Sequence, residues 1–309
     1  MRRLWALLTV ALLAGIALSL LTGPMADAPG WVVLRLRLPR TALAVMAGAG
    51  LAVSGCVLQA VLRNGLATPY TLGISAGAGV SAGALMLSGV VLSRMLLVVL
   101  GTAGALITVS AVYALARAAG GGSGSRIILA GVTLNLIGAS VLLLFEYLSP
   151  ASRLVEIVRW MMGDLSAVDS QLPLYLLPFA VVGISVAAAR SGVLNQLESG
   201  HGLAASRGVS VSRERSLLLA ASALLAGGTV GAVGPIGFVG LIVPHMMRRL
   251  SGGDYRRLLF ASAMGGAVLL LFADVVSRLV ISPAELPIGV VMSMLGGPFF
   301  LYLLIRGGR

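Results

Sequence analysis

The sequence contains no lysine, and all 22 of its basic residues are arginines. A P-loop uses a lysine to reach the β- and γ-phosphates of a nucleotide, and Schiff-base chemistry needs a lysine amine. Neither device is available, which argues against ATP hydrolysis by this chain alone. Cysteine is nearly absent too. The single Cys56 excludes an intrachain disulfide and a cysteine-based zinc site. It lies within an apolar run and reads as a packing residue. Charged residues make up 10% of the chain, against about a quarter in soluble domains. Aromatic residues make up 5%. A net charge of +12 would suggest nucleic acid on a soluble chain. Here the arginines are scattered and separated by apolar spans, so they read as loop charges. Histidine occurs only as His201 and His245. No metal-ligand pattern surrounds either, no HExxH or serine–histidine pairing stands out, and enzymatic function is poorly supported.

Long apolar runs fill the rest, so the fold class is an all-α polytopic membrane protein of about ten transmembrane helices. The expected spans are Leu4–Leu21, Thr41–Leu62, Tyr70–Leu87, Met95–Ala116, Ile127–Leu148, Leu172–Ala189, Ser216–Val233, Pro235–Met247, Leu258–Val280 and Pro287–Ile305. The first run has 18 residues. That exceeds the usual ~7–15-residue core of a signal peptide, so it is taken as a retained span despite the cleavage-like Ala26-Asp27-Ala28. Trp31 to Arg40 is expected as an external loop. Leu154–Met162 is expected as a short amphipathic helix on the membrane surface. Ser282-Pro283-Ala284-Glu285 has capping-box spacing and predicts a helix start. Gly73/Gly77 and Gly79/Gly83 are GxxxG pairs that allow close helix approach. Gly234, Gly237 and Gly240 form a similar series in a short span with Arg248 and Arg249 at its basic end.

An even number of spans places both termini on one side. With that side cytoplasmic, the inner segments carry fifteen arginines and three acids, and the outer ones seven of each. The bias follows the positive-inside rule. Asp274 and Arg278, four residues apart, are positioned to pair. Two clusters stand out as candidate sites: the polar segment Gly200 to Arg215, which also reads as a plain solvated loop, and the external arginines Arg37, Arg40 and Arg278, which also read as snorkelling side chains.

Several motifs occur in order: Arg37-Leu38-Pro39-Arg40, Ser54-Gly55 with Leu58-Gln59, the stretch from Arg63 to Pro69, Leu72 to Ala78, Gly234 to His245, Glu285 to Gly289, and Gly297-Pro298-Phe299-Phe300. From about Arg35 to the C-terminus the chain resembles the membrane subunit of the iron-siderophore, haem and vitamin B12 ABC importers. Asn64-Gly65 stands where that family usually has Asn-Pro. The resemblance implies a single permease domain over residues 1–309, with a cytoplasmic coupling segment at 190–215. It implies a multi-pass protein of the bacterial cytoplasmic membrane that works as a homodimer. Its partners would be two cytoplasmic ATPase subunits, which bind ATP and Mg, and an external substrate-binding protein. No cofactor is expected in this chain. By resemblance, Gly200, His201, Gly202, Leu203, Ala204, Ala205, Ser206, Arg207, Gly208 and Val209 dock into the ATPase. Arg37, Arg40 and Arg278 meet acidic residues of the binding protein. Gly122, Ser123, Gly124 and Ser125 lie near the cytoplasmic gate, and Asn135 lies on the pathway. The expected cargo is a ferric siderophore, with haem or cobalamin as alternatives. An ion-coupled secondary transporter is the reading from a different class.

Overall fold

The computed structural model describes residues 1–309 except 24–28, 89–92, 121–122, 167–168, 283 and 308–309. The described residues form thirteen helices, with the segments between Gly30 and Leu62 taken as one. In chain order they are α1 Arg2–Leu21, α2 Gly30–Leu62, α3 Ile74–Ser88, α4 Arg94–Ala118, α5 Gly124–Leu148, α6 Ala151–Met161, α7 Leu172–Ala189, α8 Ser191–Ser199, α9 His201–Ser206, α10 Val211–Val233, α11 Val239–Ser251, α12 Tyr255–Leu279 and α13 Ile288–Gly307. Seven of them are long and apolar enough to cross a membrane: α1, α2, α4, α5, α7, α10 and α12. Ile74–Ser88 and Ile288–Tyr302 are apolar but shorter.

Helices α2 and α10 are buried along most of their length and pack against each other. Around them stand α12 and α11 against α2, and α4 and α7 against α10. α3 packs on α4 and α5, while α1 leans on α12. In lipid, leucine gains nothing by leaving hydrocarbon, so helices associate by close packing and hydrogen bonds. Glycines supply that closeness. A Cβ on Gly48 would collide with the Gly266 backbone, and one on Gly266 with that of Gly48. Gly55 and Gly240 join α2 to α11 in the same way, where a Cβ on Gly240 would lie 2.7 Å from Leu51 O.

The glycine series of the sequence divides on this test. Gly77 meets the Gly104 backbone and Thr108, whereas Gly79 and Gly83 meet the side chains of Leu142 and Phe145. Gly240 packs backbone to backbone, but nothing lies within 4 Å of a Cβ on Gly237. That glycine lines a cavity instead.

Four expectations need correction. Trp31 to Arg40 is helical, not a loop. A π turn at Val33–Arg37, closed by Leu38 N–H on Val33 O, widens the helix just before Pro39, whose ring and missing N–H would disrupt a regular turn. α3 begins at Ile74 rather than Tyr70, after a turn in which Thr68 N–H donates to Thr71 Oγ1 at 2.9 Å and Thr71 N–H to Thr68 Oγ1 at 3.2 Å. α11 begins at Val239 rather than Pro235, because Gly234 and Phe238 adopt positive φ angles of 74° and 68°. The proposed capping box starts no helix: Glu285 turns to Arg40, and α13 begins at Ile288. Pro283 and Ala26-Asp27-Ala28 lie outside the described residues. The amphipathic segment does form α6, but its Ile157 and Trp160 are buried against the protein body.

Replacing Gly48 by leucine is expected to lose several kcal/mol of stability or abolish folding, since overpacking costs about 1–3 kcal/mol even where side chains give way. Gly237→Ala is expected to be tolerated. Thermal unfolding in detergent separates the two; equal loss in both variants would refute the packing argument.

Candidate functional site

Polar side chains gather at the two ends of the bundle. At the first end, α1 stops at Leu21, and the last four carbonyls of any helix lack intrahelical partners. Two arginines from other helices supply them. Arg37 donates from Nη1 to Leu20 O at 2.9 Å and Leu21 O at 3.0 Å. Arg278 donates to Ser19 O at 3.1 Å, Thr22 O at 3.0 Å and Ser19 Oγ at 2.9 Å. Ser19 in turn bonds Thr41 Oγ1 at 2.8 Å. Positive charge at a helix C-terminus is also favoured by its dipole.

Asp274 is fully buried at the centre of this cluster, 2.9 Å from Arg278 and 2.8 Å from Arg40. The i, i+4 pairing read from the sequence is thus present. Arg40 also reaches Glu285 at 2.6 Å. Arg37 is 8% exposed, Arg278 3% and Arg40 12%. These three arginines therefore form one assembly, with their donors engaged by acceptors of the same chain. Spacing disclosed Asp274, but nothing local in the sequence joins Glu285 to Arg40.

The opposite end holds the segment from 190 to 215. It folds as two short helices rather than a loop: α8 and α9 meet at Gly200, whose φ of 134° turns the chain between them. α9 contains His201, Gly202, Leu203, Ala204, Ala205 and Ser206. Arg207, Gly208 and Val209 follow, and Val209 N–H bonds back to Ala204 O at 3.0 Å. Leu203 is 54% exposed, whereas Ala204 is buried.

The anchors of this segment come from four helices. His201 Nε2 lies 3.3 Å from Val61 O on α2, and Arg215 Nη2 lies 3.2 Å from the imidazole. Arg63, at the end of α2, donates to Glu198 O at 3.2 Å. Glu198 pairs with Arg248 of α11, which also donates to the Tyr255 hydroxyl at 2.6 Å. Asn195 donates to Asp254 Oδ1 at 2.9 Å and accepts from Tyr255 N at 2.9 Å. Asn195 and Glu198, inside the 190–215 segment, were not named individually in the sequence. They are isolated polar residues whose partners lie far away along the chain. His245 contrasts with His201: its Nε2 is buried with no hydrogen-bond partner among the described residues.

Between the ends, a cavity of about 570 Å³ is lined mainly by apolar side chains, including Tyr70, Met161, Met162, Phe238, Leu241 and Met294. Two of its lining residues, Met162 and Gly289, belong to segments tied together through the main chain. Asp164 N bonds Val233 O at 2.8 Å, while Ile288 N and Gly289 N bond Gly163 O and Met162 O at 3.1 and 3.0 Å. The carbonyls of 162–163 thereby satisfy N–H groups at the start of α13. Asn135 lies elsewhere, on α5, a helix that buries only Ile127, Gly131 and Gly138. Ser123 is the N-cap residue of α5, Ser125 is exposed, and Gly124 rests against the last carbonyl of α2, Leu62 O. Gly122 lies outside the described residues.

Removing one partner from a buried ion pair leaves a charge uncompensated and costs roughly 3–5 kcal/mol. Asp274→Ala is expected to lose that much, measured by thermal or denaturant unfolding; a loss of under about 1 kcal/mol would contradict this account. His201 offers a pH test. Burial, and then the Arg215 guanidinium, lower its pKa from the ordinary value of about 6.5, although the Val61 carbonyl opposes the shift and Arg63 reinforces it. A depressed folded-state value gives stability that is present above about pH 6.5 and lost as pH falls below it. Protection of residues 200–209 against hydrogen exchange, corrected for the intrinsic slowing of exchange at lower pH, is expected to fall between pH 7.5 and 5.5, and His201→Gln to remove that response. An unchanged response in the variant would assign it to another group.

The same framework occurs in known proteins. The FecCD transport family matches residues 4–306. The vitamin B12 import system permease protein BtuC of Salmonella paratyphi A is 39% identical, covering 98% of this chain and 95% of that one. The hemin transport system permease protein HmuU of Yersinia pestis is 38% identical over 91% of this chain and 85% of its own length. The uncharacterized ABC transporter permease protein YvrB of Bacillus subtilis is 40% identical over 90% and 80%. A solved chain of an inward-facing metal-chelate type ABC transporter is 29% identical, with a TM-score of 0.90 over 99% of both chains. A chain of PsaBC from Streptococcus pneumoniae, 17% identical with a TM-score of 0.61 over 86% of this chain and 90% of its own, shares the fold alone. Likeness over nearly the whole length, in sequence and in helical framework, makes this chain a member of the FecCD transport family of ABC importer permeases.

Proposed function

We propose that this chain is the membrane subunit of an importer for a bulky metal chelate, with a ferric siderophore as the cargo. Haem or cobalamin is the alternative, favoured by the functions named for HmuU and BtuC. The observation that carries the proposal is the match to a metal-chelate type transporter chain over 99% of both lengths. Counting α3, α11 and α13 with the seven longer helices gives ten spans, both termini on the cytoplasmic side of a bacterial cytoplasmic membrane. The arginine bias between loops supports that orientation.

Transport work then falls to partners. A chain without lysine leaves ATP and Mg to two cytoplasmic ATPase subunits. Docking into them is assigned to α9 and the residues up to Val209. This reading is supported by Leu203, which projects from a helix whose other face is anchored to α2 and α10. A push on α9 would pass through Val61 and Arg215 into the two most buried helices, a rigid route to a bistable packed core. At the other end, three arginines face two carboxylates, leaving net positive charge. Acidic residues of an external binding protein would be steered there. A second copy of the chain and the lipid bilayer would cover the apolar faces of α5 and α13, where Leu129, Leu136, Leu143, Met294 and Leu301 are exposed. The pathway would run past α5 and Asn135, with Ser123 to Ser125 near its inner gate.

Affinity purification of the chain is expected to bring down an ATPase and a binding protein whose ligand, read by mass spectrometry and absorbance, is a ferric chelate. Leu203→Asp is expected to keep the complex assembled while reducing ATP-coupled uptake at least about ten-fold, the equivalent of one 1.4 kcal/mol coupling contact. Uptake by proteoliposomes without any ATPase, driven by an ion gradient, would instead identify a secondary transporter.

A further inference from the structure

A second cavity, of about 580 Å³, opens at the end that carries α9. Its wall includes Tyr113 and Arg117 of α4, Ser123 at the start of α5, His201, and Ser212 and Arg215 of α10. No carboxylate lines it among the described residues. Glu214, next to Arg215 in sequence, is 3.4 Å from Arg190 and engaged there. Arg215 is 7% exposed, so its charge is built into the wall rather than displayed on the surface. Arg117 stands over the Tyr113 ring at 5.8 Å, and the Tyr113 hydroxyl meets Ser212 Oγ at 3.1 Å.

Two helices also begin at this cavity. Ser123 is the N-cap residue of α5, and Val211 and Ser212 open α10, yet neither helix has a side-chain hydrogen bond at its N-cap. Helix N-termini offer N–H donors and partial positive charge to an anion. The wall thus combines two guanidinium groups, the first residues of two helices and three hydroxyls. That arrangement suits a tetrahedral oxyanion better than a planar carboxylate, which one bidentate arginine satisfies. The volume is far larger than a bare phosphate needs, so the group would carry a substituent.

We propose that this cavity is a binding site for a phosphate ester, held by Arg117 and Arg215 with the starts of α5 and α10. The inference does not depend on which cargo is transported. A phospholipid headgroup and a soluble phosphate ester share this chemistry.

Two probes separate them: phosphatidylglycerol doped into phosphatidylcholine nanodiscs, and glycerol 3-phosphate added to the detergent-purified chain at constant ionic strength. Native mass spectrometry reads retained lipid, and thermal unfolding reads stabilisation by the soluble ester. Arg117 is exposed, so Arg117→Gln is expected to fold normally and to weaken binding about ten-fold, as for the loss of one charge-assisted contact. Arg215→Lys, which keeps the buried charge but loses the fork, is expected to weaken it too. Retention of phosphatidylglycerol without a response to glycerol 3-phosphate identifies a lipid headgroup, and a response to both shows that the soluble ester suffices. The proposal is overturned if neither probe binds, which would leave the basic wall to a carboxylate of a docked protein. It is equally overturned if Arg117→Gln binds as the wild type does.

Discussion

Backbone resting on backbone along α2 is the contact on which the rest of the molecule depends. At Gly48 and Gly266, and again at Gly55 and Gly240, two helices come closer than any side chain would allow. A bilayer does not drive apolar helices together, so this proximity has to be gained from packing and hydrogen bonds. It also brings polar groups within reach. Gln59 donates to Gly240 O at 3.1 Å, and Ser54 to Ser222 O at 3.1 Å. Both bonds lie within the buried part of α2 and require that helix to sit deep in the bundle.

With α2 fixed, its ends organise the charges. Its N-terminal part carries Arg37 and Arg40 into the Asp274 cluster, and its C-terminus carries Val61 and Arg63 to the α8–α9 segment. One buried helix thus joins a cluster at one end of the molecule to the segment assigned to ATPase docking at the other. Arginine suits these positions. Its planar fork serves several acceptors at once, as Arg278 does with α1 and Asp274, whereas an ammonium is a compact point charge.

Much of this was legible in the sequence for a simple physical reason. A span needs a run of apolar residues, and such runs are local. Leu172–Ala189 was read to the residue, and the other long spans to within a few residues except α2, which starts at Gly30 rather than Thr41. The misreadings occurred where backbone geometry overrode local signals. Pro39 reads as a break, yet a π turn absorbs it within α2. Phe238 takes a left-handed conformation that no aromatic residue advertises, and the start of α11 moves with it. Ser282 to Glu285 has capping spacing, but Glu285 finds a stronger partner in Arg40. Of the polar clusters, only the four-residue Asp274–Arg278 pair leaves a periodic trace. Asn195, Glu198 and Arg215 act through partners from other helices, and no spacing rule reaches that far. Membership of the family was legible because it rests on ordered motifs rather than on any one contact.

The closure of α1 has a consequence for the order of assembly. Its terminal carbonyls are held in part by Arg278, which lies 259 residues beyond Ser19 in the chain. α1 is also the helix least buried in the bundle, and its main neighbour is α12. During synthesis the first span enters the membrane long before that neighbour exists. It must wait there, with the last carbonyls of its C-terminal turn lacking the Arg278 donor, until the twelfth helix arrives. The closure of α1 is therefore completed late: a chain truncated before Arg278 would hold its C-terminal turn only through Arg37 and Thr41 of α2.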